Sequence, residues 1–331
     1  MKKNQIFKLS TILLIGFAFF GCNTTPKKVV INYAQLRIST PILVAREQGY
    51  FKELGLDVEL KPSPTGQTVI DELVSGSTDI AGYSALPIIF NAMTRTKKEL
   101  VLVSALYENK EHPITRLIVN VDVKKAGVFS IADLKGKRIG ILNTKAYEVW
   151  LKLILRENGL DIDRDKIVIQ QIAPENQAEA IKTGSIQALL TNDPVATKIL
   201  TKNFGVELIP NSALVPQYTK MDDFYFGSFC ISKKYADENP SIVKKISQAL
   251  DKAIDYINQN PQACYEALNS DPTIKEKFGD LTQKYPKSFY KKTNEVKPSD
   301  LKTIFDYYKT NNIVFSFHSA FIYFSEISLF F

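Results

Sequence analysis

Small polar side chains recur where a strand should hand over to a helix: Ser39 and Thr40, then Ser84, then Asn143 and Thr144 with Lys145 beside them. At such junctions the chain offers unpaired N–H groups and the positive end of a helix dipole, which suit an anionic or strongly polar group. Tyr33, Tyr83, Tyr147 and Tyr225 bracket the same loops and offer faces for a flat ring, while Lys145 offers a cation to an acid or phosphate. Taken alone, each hydroxyl reads first as an ordinary helix cap, and each tyrosine first as a half-buried wall residue. Convergence on one cleft is what would make them a site. Acid–base and metal chemistry have little to draw on, since the histidines are His112 and His318 and no cysteine cluster occurs. There is no GxxxxGK[ST] loop, and GKRIG at 136–140 enters a strand instead of leaving one.

The elements that must position these residues alternate in type. Strand-like runs at 29–33, 57–60 and 79–82 are separated by helical patterns at 41–48 and 69–75. A second series repeats the order, with strands at 137–142, 166–172 and 186–190 and helices at 146–158 and 176–183. Doubled βαβ units predict two α/β lobes with mainly parallel sheets. Thr40 before Pro41, and the pairs Asn239-Pro240 and Asn260-Pro261, read as helix starts, and SIAD at 130–133 reads as a capping box. Residues 240–311 read as helices. Crossings between the lobes are expected near 113–116 and 223–230, giving lobe 1 at 29–113, lobe 2 at 114–230 and a helical return to lobe 1 at 231–312.

The 331 residues are 45% hydrophobic and 23% charged, enough for two cores. Residues 1–21 carry Lys2, Lys3 and Lys8 ahead of an apolar run, the layout of a secretory signal. Its removal takes three lysines and no acid from the formal charge of +7, leaving +4, a surplus too small to argue for a nucleic-acid partner. Gly21-Cys22 resembles a bacterial lipobox, departing from it at Phe19 and Phe20. That likeness implies a lipid on Cys22, a tether at 22–28 and attachment to a membrane of the cell envelope, facing the periplasm or exterior. Cys230 and Cys264 are either a disulfide pair or isolated core residues. The segment 313–331 is apolar, but its serines, Glu326 and His318 argue against a membrane helix. It is expected to be dispensable, so that cutting after Asn312 leaves folding intact.

AREQGYFKELGLDVE at 45–59, GSTDIAG at 76–82, DLKGKRIG at 133–140 and Asn239-Pro240 after Ser232-Lys-Lys together resemble the substrate-binding proteins of ABC importers for nitrate, sulfonate, taurine and thiamine precursors. The resemblance spans about 29–312. It implies a type II periplasmic binding protein fold, two lobes on a two-strand hinge that close on a small solute. It also implies a monomer without cofactor, delivering to an ABC permease and its ATPase. The family often carries an aromatic-acid-Pro stretch entering the cleft from the second lobe. Here the stretch reads Thr191-Asn-Asp-Pro194, so Asp193 keeps the acid while the aromatic is missing. The expected ligand contacts are therefore Ser39, Thr40, Tyr83, Ser84, Asn143, Thr144, Lys145, Asp193 and Tyr225. The helix starts favour a small anion, and the tyrosines favour a flat heterocycle such as a thiamine-related pyrimidine or a flavin. The alternative function is an enzyme, since the same domain appears in a thiamine-pyrimidine synthase. That enzyme's cysteine-rich motif and active-site histidines have no counterpart here.

Overall fold

Apolar runs broken by Gly and Pro form two sheets in the computed structural model, which describes residues 28–210 and 212–314. The strands are β1 (Lys28–Ala34), β2 (Asp57–Ser63), β3 (Ile80–Ala85), β4 (Leu100–Glu108), β5 (Arg116–Asn120), β6 (Arg138–Ile141), β7 (Val168–Gln171), β8 (Ala188–Thr191), β9 (Gly205–Glu207), β10 (Phe224–Ser232) and β11 (Phe289–Lys291). The larger sheet runs β11-β4-β10-β3-β1-β2 and the smaller β7-β6-β8-β5-β9. Within the first, β1 pairs parallel with β2 and β3. Within the second, β6 pairs parallel with β7 and β8. The sheets are mixed, because β10 and β11 in one and β5 in the other run antiparallel to their neighbours.

Every residue of β4 is buried, and so is all of β10 up to Ser232, as expected of central strands covered on both faces. The helix Pro240–Gln259 lays Val243, Ile246, Leu250, Ile254 and Ile257 along one stripe, the spacing that faces a core, and packs on the helix Thr40–Glu47. In the smaller lobe the helix Lys145–Glu157 buries Tyr147, Trp150, Leu151, Ile154 and Leu155 in the same way. SIAD forms the expected capping box, with the Asp133 carboxylate accepting from the Ser130 N–H and hydroxyl.

The chain crosses between sheets twice, after Glu108 and before Phe224. Because β10 lies between β3 and β4, the larger lobe resumes at Phe224, seven residues before the expected boundary at 231. Phe289–Lys291 interrupts the expected all-helical return as an edge strand on β4. Thr40 does not cap a helix: it is the first helical residue, and its hydroxyl donates to the Arg37 carbonyl at 2.6 Å. Asn239 and Asn260 likewise donate their amides backward, to Tyr235 and Tyr256 of the preceding turns. Cys230 and Cys264 are both free thiols. Ile313 and Val314 are buried and Asn91 donates to the Ile313 carbonyl, so packing extends at least two residues past the expected cut. The leader 1–21, Cys22, the tether up to residue 27 and the rest of the tail lie outside the described residues.

Candidate functional site

Strand direction decides which edges face each other. Glu108, where β4 leaves the larger sheet, is in register with Phe224 at the start of β10, and the end of β3 pairs with Gly227 nearby. Across the hinge, Arg116 at the start of β5 pairs with Thr191 at the end of β8. The carboxyl ends of β1 and β3 therefore point at the carboxyl ends of β6 and β8, the arrangement in which α/β sheets bind ligands. Two contacts confirm it. Arg37, just past β1, reaches Asp193, just past β8, with 3.3 Å between Nη1 and Oδ2. A groove of about 210 Å³ is lined by Gln67, Pro87 and Asn91 from one lobe and Asn143, Thr144 and Lys145 from the other.

The groove brings together three of the expected residues. Asn143, Thr144 and Lys145 are exposed there, and Thr144 caps the helix Lys145–Glu157 by accepting from the Tyr147 N–H. Opposite it starts the helix Leu86–Thr96, whose N-cap Ala85 gives no side-chain cap bond and whose second residue is Pro87. Lys145 is engaged at 3.2 Å by Glu148, which Lys152 also holds, so its charge is partly answered within its own helix.

Other expected contacts lie elsewhere. Ser84 is buried and donates to the Gly66 carbonyl at 3.0 Å, tying β3 to the helix Gly66–Ser75. Tyr83 is a core residue: its hydroxyl pairs with Ser104 at 2.6 Å and its ring meets Phe229 and Tyr290 edge-on. Tyr225 is also core, stacked on Tyr107 at 4.8 Å and donating to Ser228. In a strand covered on both faces a tyrosine has no route to a cleft, which is why neither serves as a wall for a ring. Tyr33 donates to Asp271. Ser39 is fully buried, with a hydroxyl that has no partner.

Sequence reasoning named Asp193 but missed the rest of the charged floor of the cleft, Arg37 and Glu108. Arg37 and Asp193 are 8% and 1% exposed at the side chain. Glu108 is fully buried and accepts from the N–H groups of Ile114 and Thr115 and from the Thr115 hydroxyl, pinning the first crossing. Burial pushes its carboxyl up to about 7, against the pull of those donors and of Arg37. Arg116 pairs with Glu207 beside it. The Tyr147 hydroxyl is buried near Glu108, Thr115 and Asn192 without a well-formed hydrogen bond. The available signals were faint: an arginine inside the apolar turn LRIS at 36–39, and a glutamate closing the apolar run 100–107.

The family model described as NMT1/THI5 like matches residues 38–264, through both crossings between the lobes. The chain belongs to the NMT1/THI5-like family. A relative named as a binding protein in Brucella abortus (strain 2308) is 24% identical over 220 residues, covering 66% of this chain and 63% of its own length, so the match spans just under two thirds of that relative. The nitrate/nitrite binding protein NrtA of Nostoc sp. is 20% identical over 261 residues, 75% of this chain and 56% of its own. Among solved structures, the periplasmic aliphatic sulphonate binding protein SsuA from Escherichia coli superposes with a TM-score of 0.68 at 18% identity, covering 89% of this chain and 96% of that one. This NMT1/THI5-like chain thus has the type II periplasmic binding protein fold, two α/β lobes on a two-strand hinge.

Proposed function

We propose that this chain is the solute-binding component of an ABC importer, capturing a small anion between its lobes and presenting it to a permease and its ATPase. The observation that carries the reading is the meeting of the two lobes' strand ends at Arg37 and Asp193, together with a groove lined by helix starts from both lobes. Closure of such lobes is driven by a ligand that binds the closed form better than the open one. The anion is favoured over the flat heterocycle because Tyr83 and Tyr225 belong to the core, whereas Arg37 and the Thr144 helix start remain at the cleft. The binding role is favoured over an enzymatic one by the names of the relatives and by Cys264. That thiol lines a cavity with His112 but is pushed up to about 11 by burial, the reverse of an activated thiolate.

The same reading has the mature chain held at the envelope by a lipid on Cys22, so Cys22→Ser should move it from the membrane fraction to the soluble one. Function is tested by native mass spectrometry of the gently purified domain 28–314 and a thermal-shift screen of nitrate, alkanesulfonates, taurine and aminopyrimidines. A solute at 100 times its Kd should stabilise the fold by about 2.7 kcal/mol. No co-purified mass and no shift across the panel would remove the basis for the proposal, and turnover of a bound compound would favour the enzyme.

A further inference from the structure

Given the solute-binding reading, on which this step rests, the geometry points to Arg37 as the residue that reads the solute's acidic group. Asp193 is the placeholder that occupies it when no solute is present. Arg37 stands three residues beyond the end of β1 and Asp193 two beyond the end of β8, each at its lobe's ligand-binding edge.

The pair is buried yet poorly formed. Charge-assisted N–H···O contacts settle at about 2.7–2.9 Å, commonly as two parallel bonds from one guanidinium. Here the single approach is 3.3 Å, and Asp193 Oδ2 makes no well-formed hydrogen bond. The other oxygen, Oδ1, is already taken by the N–H and hydroxyl of Thr197. A buried ion pair with such geometry does not recover the desolvation of its charges, so a better anion displaces it readily.

Arg37 does not depend on Asp193 for its position. Its Nη1 donates to the Pro286 carbonyl at 2.9 Å, and its own carbonyl accepts from Thr40 and from Tyr290. Arg37 itself lines a cavity of about 160 Å³, whose walls include His112, Tyr265, Tyr285 and Lys287 and no carboxylate. One water needs roughly 10–15 Å³ of such space, so a compact head group of several atoms has room beside the guanidinium. Glu108, the other acid that acts on Arg37, is committed to the hinge backbone. Opening the lobes parts Arg37 from Asp193; an entering nitrate or sulfonate takes the carboxylate's place on the fork, and closure follows around it.

The test is calorimetric titration of chloride-free protein with sodium nitrate and sodium ethanesulfonate, comparing wild type, Asp193→Asn, Arg37→Gln and Arg37→Lys, each checked for folding by thermal denaturation. Asn keeps the Oδ1 acceptor for Thr197 while removing the competing charge, so D193N should bind at least one of the two anions about tenfold tighter than wild type. R37Q should lose that binding, and R37K, with a point charge in place of the fork, should fall between. Unchanged or weaker anion binding by D193N would overturn the placeholder role and assign Asp193 to an amine-bearing ligand instead. Undiminished binding by R37Q would overturn Arg37 as the reader. If neither anion binds any variant while another solute of the thermal-shift panel binds wild type, this inference falls and the solute-binding reading stands. If nothing binds at all, both fall.

Discussion

The cleft has two regions built on opposite principles. At the groove, Asn143, Thr144 and Lys145 are exposed, and their polar groups belong to a helix start that exists whether or not the lobes meet. At the floor, Arg37, Glu108 and Asp193 are buried, and their chemistry exists only because chain segments about 155 residues apart come together, as Arg37 and Asp193 do. A local signal can be read from neighbouring residues, whereas a charge pair across a hinge cannot. Under the proposed solute-binding role, the groove would meet the hydrated solute first and the floor would discriminate among solutes once water is excluded.

That contrast sets the order of expected effects. The largest falls beneath the floor, at Gly227, where a Cβ would stand 2.5 Å from the Ser84 carbonyl oxygen and 3.1 Å from the Ile38 side chain. Gly227→Ala must therefore move backbone, costing about 1–3 kcal/mol and disturbing the turn that carries Arg37, measured by chemical denaturation and anion affinity together. Retention of both would show that the floor is softer than its packing.

Glu108 sharpens the comparison through pH. Its folded carboxyl is raised to about 7 while the unfolded one titrates near 4.3, so between those values the folded chain holds the extra proton. Its contribution to stability is accordingly full below the lower value and is lost as pH rises through the window, by at most about 1.4 kcal/mol per pH unit. Subtracting the pH profile of Glu108→Gln from that of wild type isolates this slope, and a flat difference would contradict it.

At the groove the effects are smaller. Thr144→Ala removes a cap and should cost about 0.5–1 kcal/mol in stability, with a modest loss of anion affinity. Lys145→Ala removes an exposed pair with Glu148 and should change stability by no more than about 0.5 kcal/mol. Its effect on anion binding should weaken with added salt, which titration at two ionic strengths would show. A loss at Lys145 larger than that at Arg37 would invert the assignment of the two regions.

Much of the fold was legible because its signals are periodic. The alternation before Asp57, the capped start at Thr144 and the box at 130–133 all lie within a few residues of what they specify. The strands β4 and β11 escaped for different reasons. The nine buried residues of β4 form an apolar run without a period to separate strand from helix, and β11 is three residues long amid helices. The tyrosines misled because a strand buried on both faces carries no alternation that would place Tyr83 or Tyr225 inward. Arg37 and Glu108 offered no motif, since their partners are set by the crossing of the chain and not by spacing.

Trp150, the chain's single tryptophan, sits on the smaller lobe's helix Lys145–Glu157 with its ring 5.7 Å from that of Phe224 and beside Phe226, both on the larger lobe's strand β10. It therefore reports any turn of one lobe against the other. Titrating the protein with ethanesulfonate while recording Trp150 emission should give a saturable change in wild type that is absent in Arg37→Gln. Calorimetric binding of the same anion with flat Trp150 emission would show that solute enters without moving the lobes, and would contradict closure around an anion at Arg37.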